Sequence, residues 1–310
     1  MNASPVIDVQ HLRKTYGGTV AVADVSLAVE RGEIFGILGP NGSGKTTTVE
    51  TMLGLRPTDG GRVRVLGLDP HRHPRRLRER VGVQLQQARL PAQLRVGEAL
   101  ELYASFYRNP AEPAELLDLL GLTGQQRTAF ASLSGGQQQR LSIALALVGN
   151  PEITVLDELT TGLDPQARRT TWDLIERVRA RGVTVVLVTH DMDEAAHLCD
   201  RLAIIDHGTV VATGSPRDLT AAESAYTLTI RAGTDSLTTA ALPLPGSSSF
   251  DLVLGELEVT GSPQDLTNVL VALAQHGITP VAVQTRTRTL EDVFLGLAGD
   301  GAASLVTTSR

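Results

Sequence analysis

Between an apolar run, Ile34 to Leu38, and a helical stretch from Thr46 to Leu55 lies Gly39-Pro40-Asn41-Gly42-Ser43-Gly44-Lys45-Thr46. The pattern is GxxxxGK[ST]. Its glycines let consecutive backbone N–H groups converge on phosphate oxygens, and the helix start adds a positive dipole end. Lys45 sets a cation near the β- and γ-phosphates, and the Thr46 hydroxyl can reach a Mg²⁺ ion, with Thr47 next in line. A chance glycine-rich turn would not come with both the strand and the helix. The pattern implies a nucleotide-binding loop and an α/β fold around it.

The rest of the chain fits that demand as far as residue 220. Short β-branched runs predict strands at Val6–Val9, Val25–Val29, Ile34–Leu38, Val63–Val65, Val81–Leu85, Ile153–Leu156, Val183–Val188 and Leu202–Asp206. Helical apolar spacing predicts helices at Val96–Tyr107, Glu112–Leu120, Gln137–Val148, Pro165–Ala180 and Met192–Cys199. The alternation predicts a mainly parallel central sheet, with the early strands antiparallel. Composition shifts after Leu219. There the predicted strands are Tyr226–Ile230, Phe250–Leu254, Glu256–Thr260 and Thr279–Gln284, with helices at Pro263–His276 and Leu290–Leu297. Between them the stretch 240–249 reads as a loop, and residues 300–310 as a frayed tail.

Composition removes several alternatives. With 42% hydrophobic residues in 310, the chain can bury a core, and the length suits about two domains. Its net charge of −6 argues against a general nucleic-acid surface. A lone cysteine, Cys199, excludes an internal disulfide framework and reads as a buried small hydrophobe. No apolar run approaches the ~18 residues of a membrane span, and the opening lacks the pattern of a secretory leader. The basic stretch His71 to Arg80 reads as a solvated helix face; contact with acidic lipid or a membrane protein is the alternative.

A second chemical element is the strand end Ile153-Thr154-Val155-Leu156-Asp157-Glu158. Neighbouring residues on a strand point to opposite sides. Asp157 therefore suits the Mg²⁺ shell, through water, and Glu158 suits the general base that polarises the attacking water. A third is Leu133-Ser134-Gly135-Gly136-Gln137, which opens a helix and presents N–H groups and a hydroxyl to an anion.

These three elements, in this order, resemble the ATP-binding-cassette (ABC) ATPases over about residues 5 to 220. The resemblance implies a P-loop cassette with a RecA-like parallel core, an antiparallel β subdomain and a helical subdomain over about 88–150. A small α+β appendage then occupies 221–299. It also implies roles for single residues. Tyr16 stacks on adenine. Gln86, with Gln84 and Gln87 as competitors, touches Mg²⁺ and senses a transport subunit. Asp164, in Gly162-Leu163-Asp164, lies in the loop through which two protomers communicate, and His190, after Thr189, contacts the γ-phosphate. Ser134, Gly135, Gly136 and Gln137 complete the ATP site of an opposite protomer. Leu159 departs from the family, which commonly has proline there; leucine would soften the turn. Thr289-Leu290-Glu291-Asp292-Val293-Phe294-Leu295 resembles the end of cassettes of the ABC-2, drug-resistance type, although a plain amphipathic helix would read the same.

The resemblance implies a Mg²⁺-dependent ATPase, paired as a homodimer or with a second cassette. It would be peripheral on the cytoplasmic face of a membrane and would power export of an unidentified, drug-like or lipid-like substrate through separate polytopic subunits. An importer ATPase is the alternative. A ribosomal or DNA-acting ABC ATPase is a further one. It is disfavoured because there is one cassette and because the interval from Lys45 to Ser134 is too short for a coiled-coil arm.

Overall fold

The computed structural model describes residues 4–85, 90–221, 226–231, 249–253, 256–261, 263–275, 282–287 and 289–296. Gln86, Gln87, residues 240–248 and the 300–310 tail lie outside them. The chain forms two compact units, Met1–Pro216 and Arg217–Arg310.

In the first unit the glycine-rich loop follows β3 (Ile34–Leu38). Before it come β1 (Ile7–Tyr16) and β2 (Thr19–Val29); after it come α1 (Lys45–Met52), β4 (Gly60–Val65), the short α2 (Pro74–Arg78) and β5 (Val81–Gln84). Three helices follow, α3 (Val96–Ala104), α4 (Pro113–Leu119) and α5 (Gly135–Leu147). The order then runs β6 (Ile153–Asp157), α6 (Pro165–Ala180), β7 (Thr184–Thr189), α7 (Met192–Leu198), β8 (Arg201–Asp206), β9 (Thr209–Gly214) and, across the unit boundary, α8 (Pro216–Ala221). The sheet order is β4-β1-β2-β9-β8-β3-β7-β6-β5.

The centre of that sheet is parallel: β3 pairs with β7 and β8, and β6 with β7 and β5. Every residue of β3, β6 and β7 is buried, which suits continuous apolar runs covered on both faces. The register Leu38↔Thr189 and Asp157↔Val188 brings the three strand ends to one edge. At the other end of the sheet β1 pairs antiparallel with β2 and β4, as the early strands suggested.

Two differences from the sequence expectation have local causes. The β1–β2 hairpin runs to Tyr16 and back from Thr19, well beyond the short strands expected. Register shifts between Val9 and Lys14 break the two-residue alternation there, so the apolar pattern fades while pairing continues. Strand β9 was not foreseen. It is only partly buried, and it forms by hairpin return from β8 across His207-Gly208, both at positive φ.

In the second unit β10 (Tyr226–Arg231), β11 (Ser249–Val253), β12 (Glu256–Gly261) and β13 (Ala282–Thr287) make an antiparallel sheet in the order β11-β12-β10-β13. Helix α9 (Pro263–Gln275) packs on β12 and β10. Its buried Val269, Ala272 and Leu273 share one helical face. A last helix covers 290–296, where Thr289 and Asp292 cap each other, Thr289 N donating to Oδ2 at 2.8 Å and Asp292 N to Oγ1 at 3.3 Å.

The strand that aims the glycine-rich loop tolerates no added volume. A Cβ on Gly36 would stand 2.7 Å from Cys199 Sγ and 3.0 Å from Leu202 Cβ. Cys199 is buried, as its composition reading implied, and burial pushes its thiol well up. Gly36→Ala is expected to lower the unfolding free energy by about 1–3 kcal/mol in urea titration. Adding Cys199→Ala, which removes the nearer atom, should recover part of that loss.

Candidate functional site

The loop that follows β3 is shaped by backbone that only glycine enters freely. Gly39 has φ 152° and Gly44 φ 104°. A Cβ at Gly39 would lie 2.1 Å from Ile205 O, and one at Gly44 2.5 Å from Ala21 O. Gly208 N donates to Ser43 O at 2.9 Å and ties the loop to the β8–β9 turn. Lys45 is 6% exposed, and its Nζ donates to Gly39 O at 2.7 Å and Pro40 O at 2.9 Å. Burial pushes the Lys45 amine down, against the pull of Glu158 and Asp157. Ser43 Oγ is buried and makes no hydrogen bond.

The loop opens on a cleft of about 350 Å³ lined by Asn41, Gly42, Lys45, Thr46, Thr47 and, from the neighbouring strand end, Glu158. Strand β6 supplies both carboxylates and treats them differently. Asp157 is 3% exposed, and its N–H donates to Gln84 Oε1 at 3.2 Å. Gln84, one of the competitors named for Gln86, is thus turned onto β6. Burial, then the charge of Glu158, push the Asp157 carboxyl up to about 6, while Lys45 opposes them.

Glu158 has left the strand geometry, at φ 50°. A side chain at that φ is strained and must be held. Its N–H donates to Val188 O at 2.9 Å. Its Oε1 lies 3.3 Å from His190 Nδ1, beyond the end of β7. Lys45, Thr46, Asp157, Glu158 and His190 therefore gather at one sheet edge.

Tyr16 stands at the tip of the β1–β2 hairpin, and Ala21 of the same hairpin lines the cleft. The ring is 38% exposed, with Lys14 Nζ and the Arg56 guanidinium each 5.4 Å from its centroid. Lys14 is held by Asp59 at 2.8 Å.

Ser134, Gly135, Gly136, Gln137 and Asp164 lie elsewhere, and Gln86 is outside the described residues. Ser134 caps α5: Gln137 N donates to its Oγ at 3.3 Å, and Ser134 N donates to Gln137 Oε1 at 2.9 Å. Asp164 caps α6 through Gln166 N and Ala167 N, at 3.0 and 2.9 Å. Ser134, Gly135, Gly136 and Asp164 line a separate concavity of about 500 Å³, which contains none of the glycine-rich loop. Arg140 also lines it, and its Nη1 reaches the carbonyls of Leu120 and Gly121 at the end of α4. The sequence reading did not single out Arg140, although it follows the Ser-Gly-Gly-Gln run by one helical turn.

A family model described as ABC transporter matches residues 22–161. A Nod factor export ATP-binding protein I of Ralstonia nicotianae is 35% identical, over 96% of this chain and 95% of that protein. The chain belongs to the ABC transporter ATP-binding family. The ABC ATPase is also 36% identical to the daunorubicin resistance ATP-binding protein DrrA3 of Streptomyces coeruleorubidus, over 96% of this chain and 97% of that one. Among solved structures it resembles cbiO1 from Clostridium perfringens, part of the ABC transporter complex cbiONQ. The TM-score is 0.65 at 27% identity, over 71% of this chain and 92% of that one. It also resembles a dimeric ATP-binding cassette in a post-hydrolysis state bound to ADP and Pi. There the TM-score is 0.60 at 30% identity, over 67% of this chain and 98% of that one. The fold is that of a P-loop ABC cassette, and the activity is ATP hydrolysis. Among the described residues no helix is long and apolar enough to cross a membrane.

The raised Asp157 carboxyl gives a pH signature in the nucleotide-free protein. Its folded pKa of about 6 lies above the ordinary value of 3.8, so the native state binds the proton more tightly than the unfolded chain. That stabilisation is complete below about pH 4 and is lost as pH rises through about 6. Asp157→Asn is therefore expected to raise the melting temperature at pH 7.5 with chelator present. The gain should shrink toward zero near pH 4, as read by thermal unfolding at the two pH values.

Proposed function

We propose that the chain is the ATP-hydrolysing subunit of an exporter whose transport path is formed by separate polytopic membrane subunits. The observation that carries this is coverage. Relatives named for Nod factor export and for daunorubicin resistance align over 96% of the chain, second unit included. On this reading residues 5–220 are the cassette, 221–299 an accessory α+β domain, and the protein is peripheral on the cytoplasmic side of the membrane.

In the catalytic cleft the loop N–H groups bind the phosphates, and Lys45 brings its charge to the β- and γ-phosphates. Tyr16 takes the adenine ring. Ser43 Oγ, buried without a partner, is a donor waiting for an anion. The site also fits Mg²⁺ by its donor set: the carboxylate of buried Asp157 next to Glu158, and the Thr46 hydroxyl on the cleft that Glu158 lines. Thr46 would hold the ion directly, Asp157 through water, and Gln86 from the segment after β5; bound there it would neutralise phosphate charge. Water attacks the γ-phosphorus as the bond to the bridging oxygen breaks, and Glu158 takes the water's proton. His190, 3.3 Å from Glu158, lies where it can hold that carboxylate and meet the γ-phosphate.

The two separate concavities support a paired site. Ser134, Gly135, Gly136 and Gln137, with Asp164, would close over ATP held by the phosphate loop of a second cassette. A homodimer then has two whole sites, because Lys45, Ser134, Glu158 and His190 are all present in one chain. ATP binding joins the protomers, hydrolysis frees them, and the cycle shifts the membrane subunits between two states.

Glu158→Gln should cut hydrolysis by about 10²–10⁴-fold while ATP still binds. With saturating Mg-ATP it should elute as a dimer; monomeric elution would sink the paired-site reading. Pull-down of the tagged chain from mild-detergent extract, with and without ATP, should recover a polytopic membrane protein. Recovery of ribosomes or DNA without one overturns the transporter reading and leaves the ATPase chemistry standing.

A further inference from the structure

Thr160 lies two residues beyond Glu158, in the turn from β6 to α6, and is buried. Its hydroxyl donates to Glu194 Oε1 at 2.9 Å. The same oxygen accepts Trp172 Nε1–H, from α6, at 3.3 Å. Glu194 is fully buried in α7, four residues beyond His190, and the Thr189 hydroxyl at the end of β7 also faces its carboxyl. Three segments thus converge on one oxygen atom: the turn after Glu158, the helix begun by Asp164, and the helix that follows His190.

A second bridge runs beside the first. Asp191 caps α7 by accepting Glu194 N–H at 3.0 Å, and its other oxygen holds Arg168 Nη1 of α6 at 3.0 Å. On the outer side the Trp172 ring stacks on His197 at 4.6 Å between centroids. A buried carboxyl is unfavourable beside an apolar residue of the same size, and burial pushes that of Glu194 up. Packing alone gives no reason for this choice of residue.

We infer that Glu194 is a positioning residue for hydrolysis: it anchors the turn behind Glu158 to the helix behind His190, and so sets the Glu158–His190 geometry. The inference rests on Glu158 and His190 acting as proposed above. The need is visible in the backbone. Glu158 is held at φ 50°, and the local bonds that restrain it are Glu158 N to Val188 O, at 2.9 Å, and the long Thr161 N to Glu158 O, at 3.4 Å. The burial of Leu159 and the Thr160–Glu194 link are the next restraints along the chain. Losing that link lets the turn relax, and a displaced general base lowers the rate of the chemical step. The phosphate loop lies on another strand end, so nucleotide binding should be spared.

Three variants of the full chain test this by steady-state ATPase kinetics, equilibrium ATP binding and thermal unfolding. Thr160→Val keeps the shape and deletes the donor; kcat should fall about ten-fold while KM and ATP affinity stay within about two-fold. Glu194→Ala should lose at least as much. Glu194→Gln keeps an acceptor at the junction and should recover most of the rate lost in Glu194→Ala. A parental kcat in Thr160→Val overturns the inference. So does a loss of ATP affinity that follows the melting temperature with no kcat–KM split, which is what a purely structural role would give. Glu158→Gln, assayed alongside, separates the two levels: undiminished hydrolysis there removes the underlying reading of Glu158 itself.

Discussion

Everything chemical in this protein depends on the backbone ladder that joins β3, β7 and β6. Parallel pairing in that register brings three strand ends level at one edge. The phosphate loop leaves the first, His190 follows the second, and the carboxylates close the third. A slip of one residue would turn each strand's side chains to the opposite face and separate Lys45 from Glu158. Because the strands are buried on both faces, their apolar side chains fix that register. The site is thus a consequence of the core, in the crevice beyond the carboxyl ends of parallel strands.

The parts legible in the sequence were those where residue type and local geometry impose one another. Gly39 and Gly44 occupy backbone that a Cβ would close off, so glycine spacing revealed the loop's shape as well as its place. Ser134 and Asp164 are cap residues, and each opens its helix. Strands with unbroken apolar runs, β3 and β6 above all, lay where the runs did. What escaped was set by partners remote in sequence. Strand β9 is half exposed and exists because β8 turns back on it. The left-handed Glu158 follows from a hydrogen bond to Val188 that no local pattern announces. The Glu194 junction joins Thr160, Trp172 and α7 across three elements, so no spacing rule could have found it.

The site is also divided by its electrostatics. Burial first, and the neighbouring charge of Glu158 second, raise the Asp157 carboxyl. The Glu158 side chain is partly exposed and lies beside His190. On the proposed mechanism this division matters: one carboxylate is buried to meet a cation through water, the other is exposed enough to receive a proton. On the paired-site reading the concavity around Ser134 and Asp164, separate from the cleft, supplies the second anion site. On that reading the two concavities complete one another only against another cassette.

Leu159 ties the geometry of the turn after Glu158 to the packing beneath it. Proline at that place would restrict the turn through its ring, and leucine was expected to soften it. The side chain of Leu159 is 1% exposed, and that of the following Thr160 is 3% exposed. The turn is therefore held from within, by an apolar anchor at one residue and a hydrogen bond to a buried carboxyl at the next. Tertiary contacts do here what a covalent ring does elsewhere, with one difference. A ring stiffens the backbone whatever its neighbours do, whereas this anchor depends on α6 and α7 keeping their places.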